Sequence, residues 1–573
     1  MSVKQFFEQQ AERNTALQHS LRQAFDPFGL MSTWVKAQQA WMTNPDALSS
    51  VMRCYREDVQ RWQHYTLGRL IGHCGPECDV FPPNPEDTRF SDPVWDEVPF
   101  WDSLKEWYLL NTRWLQDALY QTPGLGEQER SRAAFWLRQW LNAIAPNNFL
   151  LTNPVAMAKA LATHGESLVA GLKNFAEDAK SGNISMTDLS AFRVGENLAL
   201  TPGAVVYRNP LLEVIHYEAT TPTVHKTPLV IVSPWINKFY VLDLNPQKSL
   251  VKYLTDQGFS VFITSWKNPD ESMRDVSFDD YLLDGVVKII DVAREISGAD
   301  KVNLAAYCIG GTLVATYLAW ANRQDPDHVP VESATLFTTL TDFARPGDIE
   351  VFIDEEGLSF IESIMARQGY LDGKELASSF RMLRPNSLIW NYWVGNYLLG
   401  ETPTAFDVLY WNMDSTRMPE AMHRFYLREM YWKNKLIEPD ALNIAGQPIN
   451  LARIKQPLYM VSAEEDHIAP WKQTFSLVHR TGGDVLFTLS SSGHIIGIVN
   501  PPGPKCKRTY WQGVPLPGET AEEWQARQTH VPGSWWDNWA GWLRERSGEQ
   551  VKPKLSSRAH PKQCAAPGKY VLE

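Results

Sequence analysis

Three residue types able to run nucleophilic acyl transfer occur in one chain order: a cysteine, an acid and a histidine. Cys308 lies in KVNLAAYCIGGTLVATYLAW, residues 301–320. A short apolar run leads into Tyr307-Cys308-Ile309-Gly310-Gly311, and a helical pattern follows at once. Small residues beside the cysteine suit a tight turn. A helix N-terminus just beyond it favours the thiolate and aims backbone N–H groups at a developing oxyanion. The N–H of Ile309 is the first expected donor. An isolated cysteine in an apolar strand usually packs as a small hydrophobe; the glycines and the strand–helix switch argue for a nucleophile. Downstream, PLYMVSA runs into Glu464-Glu465-Asp466-His467, which places Asp466 as the acid. DVLFTLS runs into Ser491-Ser492-Gly493-His494, which places His494 as the base, ahead of His467, because it follows the last strand of the series. In LVIVSPWINKFY, residues 229–240, the N–H of Ile236 is the second expected oxyanion donor.

The elements needed to hold these residues are visible in the pattern. After about residue 190, short β-rich runs alternate with helical stretches. The runs are Leu229–Val232, Ser260–Ser265, Val302–Ala306, Ala334–Thr338, Pro457–Val461 and Val485–Leu489. Such alternation predicts an α/β fold with a mainly parallel sheet, whose strand ends gather ligands. A cysteine elbow followed in order by acid and histidine is the arrangement of the α/β-hydrolase fold, with Cys in place of Ser. The interval 341–455 shows no clear buried strand and is predicted to be an inserted helical cap. Residues 1–190 form a mostly helical N-terminal domain in this reading: Phe28, Met31, Trp34, Val35, Trp41 and Met42 follow helical spacing, as do Leu104, Trp107, Tyr108, Leu115 and Leu119. The catalytic domain spans 191–573. Trp535, Trp539 and Trp542 share one face of a terminal helix, and 548–566 reads as a loose tail.

Composition narrows the function classes. The chain has 573 residues and a formal net charge of −12, which argues against a nucleic-acid partner. Six scattered cysteines do not make a disulfide framework, and the polar N-terminus lacks the apolar segment of a secretory signal, so a cytoplasmic location is expected. No transmembrane segment is expected either. His73, Cys74 and Cys78 are too loosely spaced for a metal site, with no second cysteine pair, and no metal or cofactor is expected. The 23 tryptophans suit core and interface packing or contact with an apolar partner. Arg384-Pro385-Asn386 fits either a turn or contact with an anionic group such as coenzyme A.

The segments FSDPVWDEVPFWDSLKEWYLLNTRWL, INKFYVLDLNPQKSLV, YCIGGT, LRPNSLIWNYWVGNYLLG, EEDHIAPW, SSGHIIGIVNPP and GSWWDNW resemble the class I poly(3-hydroxyalkanoate) synthases, from about residue 85 to the end. The resemblance implies Cys308 as the acylated nucleophile, with Asp466 and His494 completing a triad. It implies (R)-3-hydroxyacyl-CoA as substrate and coenzyme A as leaving group. It also implies a homodimer and attachment to cytoplasmic polyester granules and their associated proteins. Asn237, Arg384, Asn386, Trp411 and His467 are the expected substrate-binding residues. Ala306 stands where the family often has glycine. A Cys-dependent thioesterase on the same fold is the competing expectation.

Overall fold

The computed structural model describes residues 30–573 except 74, 76–79, 85, 86 and 505. Phe28, Cys74 and Cys78 therefore lie outside the described residues.

The chain forms two compact units. The first gathers the described residues up to Asp188 with Glu355–Phe360 and Ser378–Ala405; the second gathers Leu189–Asp354, Ile361–Ala377 and Phe406–Glu573. The interval 341–455 is thus divided between them. In the first unit, helices α1 (Leu30–Thr43), α2 (Pro45–Leu70), α3 (Pro99–Tyr120), α4 (Glu127–Ala143), α5 (Pro154–Ala162) and α6 (Glu166–Ser181) follow one another. Proline opens α2, α3 and α5, where its missing N–H costs nothing. The apolar clusters here are small, and a polar network shares the interior. Asp102 is fully buried and accepts from Arg69 Nε at 2.6 Å and from Tyr65 Oη at 2.7 Å.

The second unit is built on an eleven-stranded sheet. Its strands in chain order are β1 (Gly203–Arg208), β2 (Leu212–Tyr217), β3 (Leu229–Val232), β4 (Val261–Trp266), β5 (Val302–Tyr307), β6 (Val331–Phe337), β7 (Leu458–Ala463), β8 (Val485–Ser490), β9 (Thr509–Gly513), β10 (Val531–Pro532) and β11 (Cys564–Ala565). Their spatial order is β10-β9-β8-β7-β6-β5-β3-β4-β2-β1-β11. Strands β3 to β8 run parallel, while β1, β2, β9, β10 and β11 pair antiparallel.

Both faces of the parallel part are covered, which explains its near-continuous apolar runs. Val230, Val232, Leu304, Ala306 and Leu336 face one layer, with helices α7 (Lys288–Ser297) and α8 (Ile309–Gln324). Leu229, Ile231, Ala305, Tyr307 and Phe337 face the other, with helix α9 (Trp536–Arg544). On α9, Trp539 is buried and Trp542 half-buried, and Trp535 just before it is buried, in keeping with a core-facing terminal helix.

Beyond the six strands expected from the sequence, the sheet gains β1, β2, β9, β10 and β11, and the C-terminal segment joins it. Strand β2 escapes a search for apolar runs because it carries Glu213 and His216, both buried. Glu213 accepts from Arg208 Nε at 2.7 Å and from the N–H groups of Lys569 and Tyr570 at 2.9 and 3.1 Å. His216 bridges the Leu555 carbonyl and Ser260 Oγ. These partners show why 548–566 is not loose. Gln550–Val551 pair with Val224–His225, Cys564–Ala565 add the edge strand β11, and the residues around them satisfy the buried polar groups of β2. Among the described residues, no helix is long and apolar enough to cross a membrane.

Candidate active site

Cys308 stands between β5 and α8 at φ 54° and ψ −123°, a conformation that costs a non-glycine residue about 1–3 kcal/mol. Local bonds hold it there. The Cys308 N–H donates to Phe337 O at 2.9 Å, tying the turn to the end of β6. The Cys308 carbonyl accepts from Gly311 and Thr312 N–H at 2.8 and 3.2 Å, closing the first turn of α8. The flanking glycines are required by close approach. A Cβ on Gly310 would lie 2.6 Å from Val232 O, and one on Gly311 would lie 1.9 Å from Thr339 Oγ1. Gly310 lets α8 pack directly against the end of β3, and Gly311 leaves room for the Thr339 side chain just past β6. The N–H of Ile309 opens the helix, where no intrahelical acceptor exists.

Asp466 follows β7 and His494 follows β8. His494 Nδ1 lies 2.6 Å from Asp466 Oδ2, and both side chains are shielded from solvent. The other carboxylate oxygen, Oδ1, accepts the N–H groups of Ile468 and Ala469, each at 2.9 Å, which fixes the carboxylate plane. Burial pushes the His494 imidazole toward its neutral form. The charges of Asp466 and Cys308, and hydrogen bonds to both, outweigh burial and raise its pKa to about 10. The fold thus brings Cys308, His494 and Asp466 into one connected set, with the imidazole between thiol and carboxylate.

Ile236 lies on the loop after β3, whose end adjoins the start of α8. Asn237 forms an isolated antiparallel bridge with Ser415 and lines a small cavity with Trp235, Lys238, Ser265, Trp266 and Thr416. Trp411 is buried, and its indole N–H donates to Lys238 O at 2.7 Å. His467 is half-buried in the turn after Asp466. Arg384, exposed, and Asn386, half-buried, belong to the first compact unit rather than to the unit that carries the triad.

Three tyrosines at the site carry no role in the sequence reading: Tyr307, and Tyr426 and Tyr431, whose hydroxyls burial, and with it the charge of Cys308, hold above the usual phenol range. Tyr307, immediately before the nucleophile, is buried; its hydroxyl donates to His494 O at 2.9 Å. Its ring stacks on the imidazole at 5.4 Å and 26°. Period-two alternation on β5 puts Tyr307 on the α9 side of the sheet, and that was the one available signal. Among the described residues, no group of three or more His, Cys, Asp and Glu is arranged to hold a metal.

A mixed sheet with a cysteine elbow after β5, an acid after β7 and a histidine after β8 defines an α/β-hydrolase-fold protein. The model of that fold matches residues 228–501, and the model described as poly-beta-hydroxybutyrate polymerase N-terminus matches 86–254. A poly(3-hydroxyalkanoate) polymerase from Methylorubrum extorquens is 42% identical over 549 residues, covering 94% of this chain and 89% of that one. A poly(3-hydroxyalkanoate) polymerase subunit PhaC from Rhizobium etli is 40% identical over 563 residues, with coverages of 96% and 87%. The subunit of that name from Cupriavidus necator is 42% identical over 535 residues, with coverages of 92% and 88%. The chain belongs to the poly(3-hydroxyalkanoate) polymerase family.

Proposed function

We infer that this protein joins (R)-3-hydroxyacyl units, short-chain ones such as 3-hydroxybutyryl, from their coenzyme A thioesters into poly(3-hydroxyalkanoate), through an acyl group carried on Cys308. The observation that carries this reading is a cysteine at the elbow, linked to His494 and Asp466, in a chain that matches named polymerases over almost its whole length.

In the first step the Cys308 thiolate attacks the thioester carbonyl carbon. The N–H groups of Ile309 and Ile236 stabilise the oxyanion. The carbon–sulfur bond to coenzyme A breaks, and His494 gives its proton to the departing thiolate. One thioester replaces another, so the acyl group stays activated, whereas an acyl-serine ester would lose most of the drive toward a further ester. In the second step the 3-hydroxyl of another unit gives its proton to His494 and attacks the acyl-Cys308 carbonyl. An ester bond forms, the bond to Cys308 sulfur breaks, and the thiolate–imidazolium pair is restored. Asp466 holds the imidazole in the orientation both steps need. No bound cofactor takes part; Asn237, Trp411 and His467, with Arg384 and Asn386, are the substrate-contact candidates. The homodimer, the granule surface and the cytoplasmic location belong to the same proposal.

The test is purified protein with (R)-3-hydroxybutyryl-CoA. Coenzyme A release matched by insoluble polyester is the expected result. Coenzyme A with stoichiometric free acid and no polymer would establish a thioesterase instead.

A further inference from the structure

We propose that Thr416 is a positioning residue for the oxyanion site: its hydroxyl, reaching in from the interval between β6 and β7, aims the N–H of Ile236. The proposal rests on the acyl-transfer reading above.

The carbonyl of Trp235 and the N–H of Ile236 are opposite ends of one rigid plane. Fixing the carbonyl fixes where the N–H points. Thr416 Oγ1 lies 2.6 Å from Trp235 O and 2.6 Å from Ile236 O, so its single O–H proton is shared between two successive carbonyls. The Thr416 N–H adds a bond to Ile236 O at 3.4 Å. Thr416 is itself buried, so water does not compete well for these carbonyls.

The residues around Thr416 hold it in place against the same loop. Asn237 and Ser415 form an antiparallel bridge. Lys238 Nζ pairs with Asp414 Oδ1 at 2.8 Å, and Tyr240 Oη donates to Asp414 Oδ2 at 2.8 Å. The Trp411 indole N–H donates to Lys238 O at 2.7 Å. Trp411 to Thr416 therefore form a splint along the loop from Trp235 to Tyr240. An oxyanion donor is effective because it is oriented before charge develops, so a loosened plane loses rate without losing substrate affinity.

The experiment compares two reactions of the same cysteine. Alkylation by iodoacetamide needs the thiolate and His494 but develops no acyl oxyanion. Coenzyme A release from (R)-3-hydroxybutyryl-CoA needs both. Thr416→Val keeps the shape and removes the donor; Thr416→Ser keeps the donor. For Thr416→Val the expected result is a fall in kcat of roughly tenfold or more, smaller than the 10²–10³-fold cost of deleting an oxyanion donor outright. KM and the alkylation rate stay within about twofold of the parent. Thr416→Ser recovers most of kcat. A smaller loss of kcat, a parallel loss of alkylation, or no rescue by serine overturns the proposal. If Thr416→Val lacks a cooperative thermal transition, Thr416→Ala takes its place under the same criteria. Failure of the acyl-Cys308 reading gives a different signature: Cys308→Ala would still make polymer.

Discussion

At the end of β5 the chain turns through Cys308 using bonds to its immediate surroundings: the end of β6, the first turn of α8, and two glycines that admit the β3 backbone and the Thr339 side chain. At the end of β3 the turn through Trp235 and Ile236 is held by residues about 180 positions away, with Thr416 bonded to both carbonyls. Both turns would supply one N–H to the same oxyanion. The first is specified by a contiguous motif. The second is specified by a tertiary splint, so its donor is only as well placed as the segment 411–416. Chemistry at this site therefore depends on a rigid half and a half that answers to the interval between β6 and β7.

Substitutions can break this contrast in graded ways. The largest effect belongs to the rigid half. Cys308→Ala or His494→Gln removes a member of a unit that acts together, and coenzyme A release is expected to fall by about a thousandfold or more. Gly310→Ala comes next. Its Cβ would meet Val232 O at 2.6 Å and Ser233 O at 3.0 Å, so α8 must shift away from β3. Thermal unfolding should show a loss of about 1–3 kcal/mol, with kcat falling alongside because the elbow moves.

The His494–Asp466 pair makes stability depend on pH. The folded imidazole is raised to about 10, above its ordinary 6.5. The native state therefore binds the proton more tightly than the unfolded state. The resulting stabilisation is complete below about pH 6.5 and is lost as the pH rises toward 10. The Tm difference between the parent and Asp466→Asn is expected to be large near neutral pH and to shrink toward pH 10. A difference that grows with pH would contradict the charge assignment. The smallest effect belongs to the splinted half. Trp411→Phe keeps the ring but loses the bond to Lys238 O, worth about 1 kcal/mol. A slight fall in Tm and a severalfold fall in kcat are expected.

What the sequence reveals follows the same division. The elbow, the parallel strands β3 to β8 and the order of acid and base are written locally, in apolar runs and the residues just after them. Strand β2 is hidden because Glu213 and His216 are satisfied by chain from the C-terminal segment, which itself reads as loose until those bonds are seen. Nothing adjacent to Thr416 marks it as part of an oxyanion site, since its partners lie in another part of the chain. The bond from the Trp411 indole N–H to Lys238 O is likewise invisible in the residues beside it.

Everything proposed for this site rests on Cys308 carrying the acyl group. The most direct measurement is peptide mass spectrometry after rapid acid quench of the enzyme with (R)-3-hydroxybutyryl-CoA. Hydroxyacyl adducts are expected on the peptide containing Cys308 and absent from Cys308→Ala. Coenzyme A release with that peptide unmodified at every time point, or an adduct on a different residue, would contradict it.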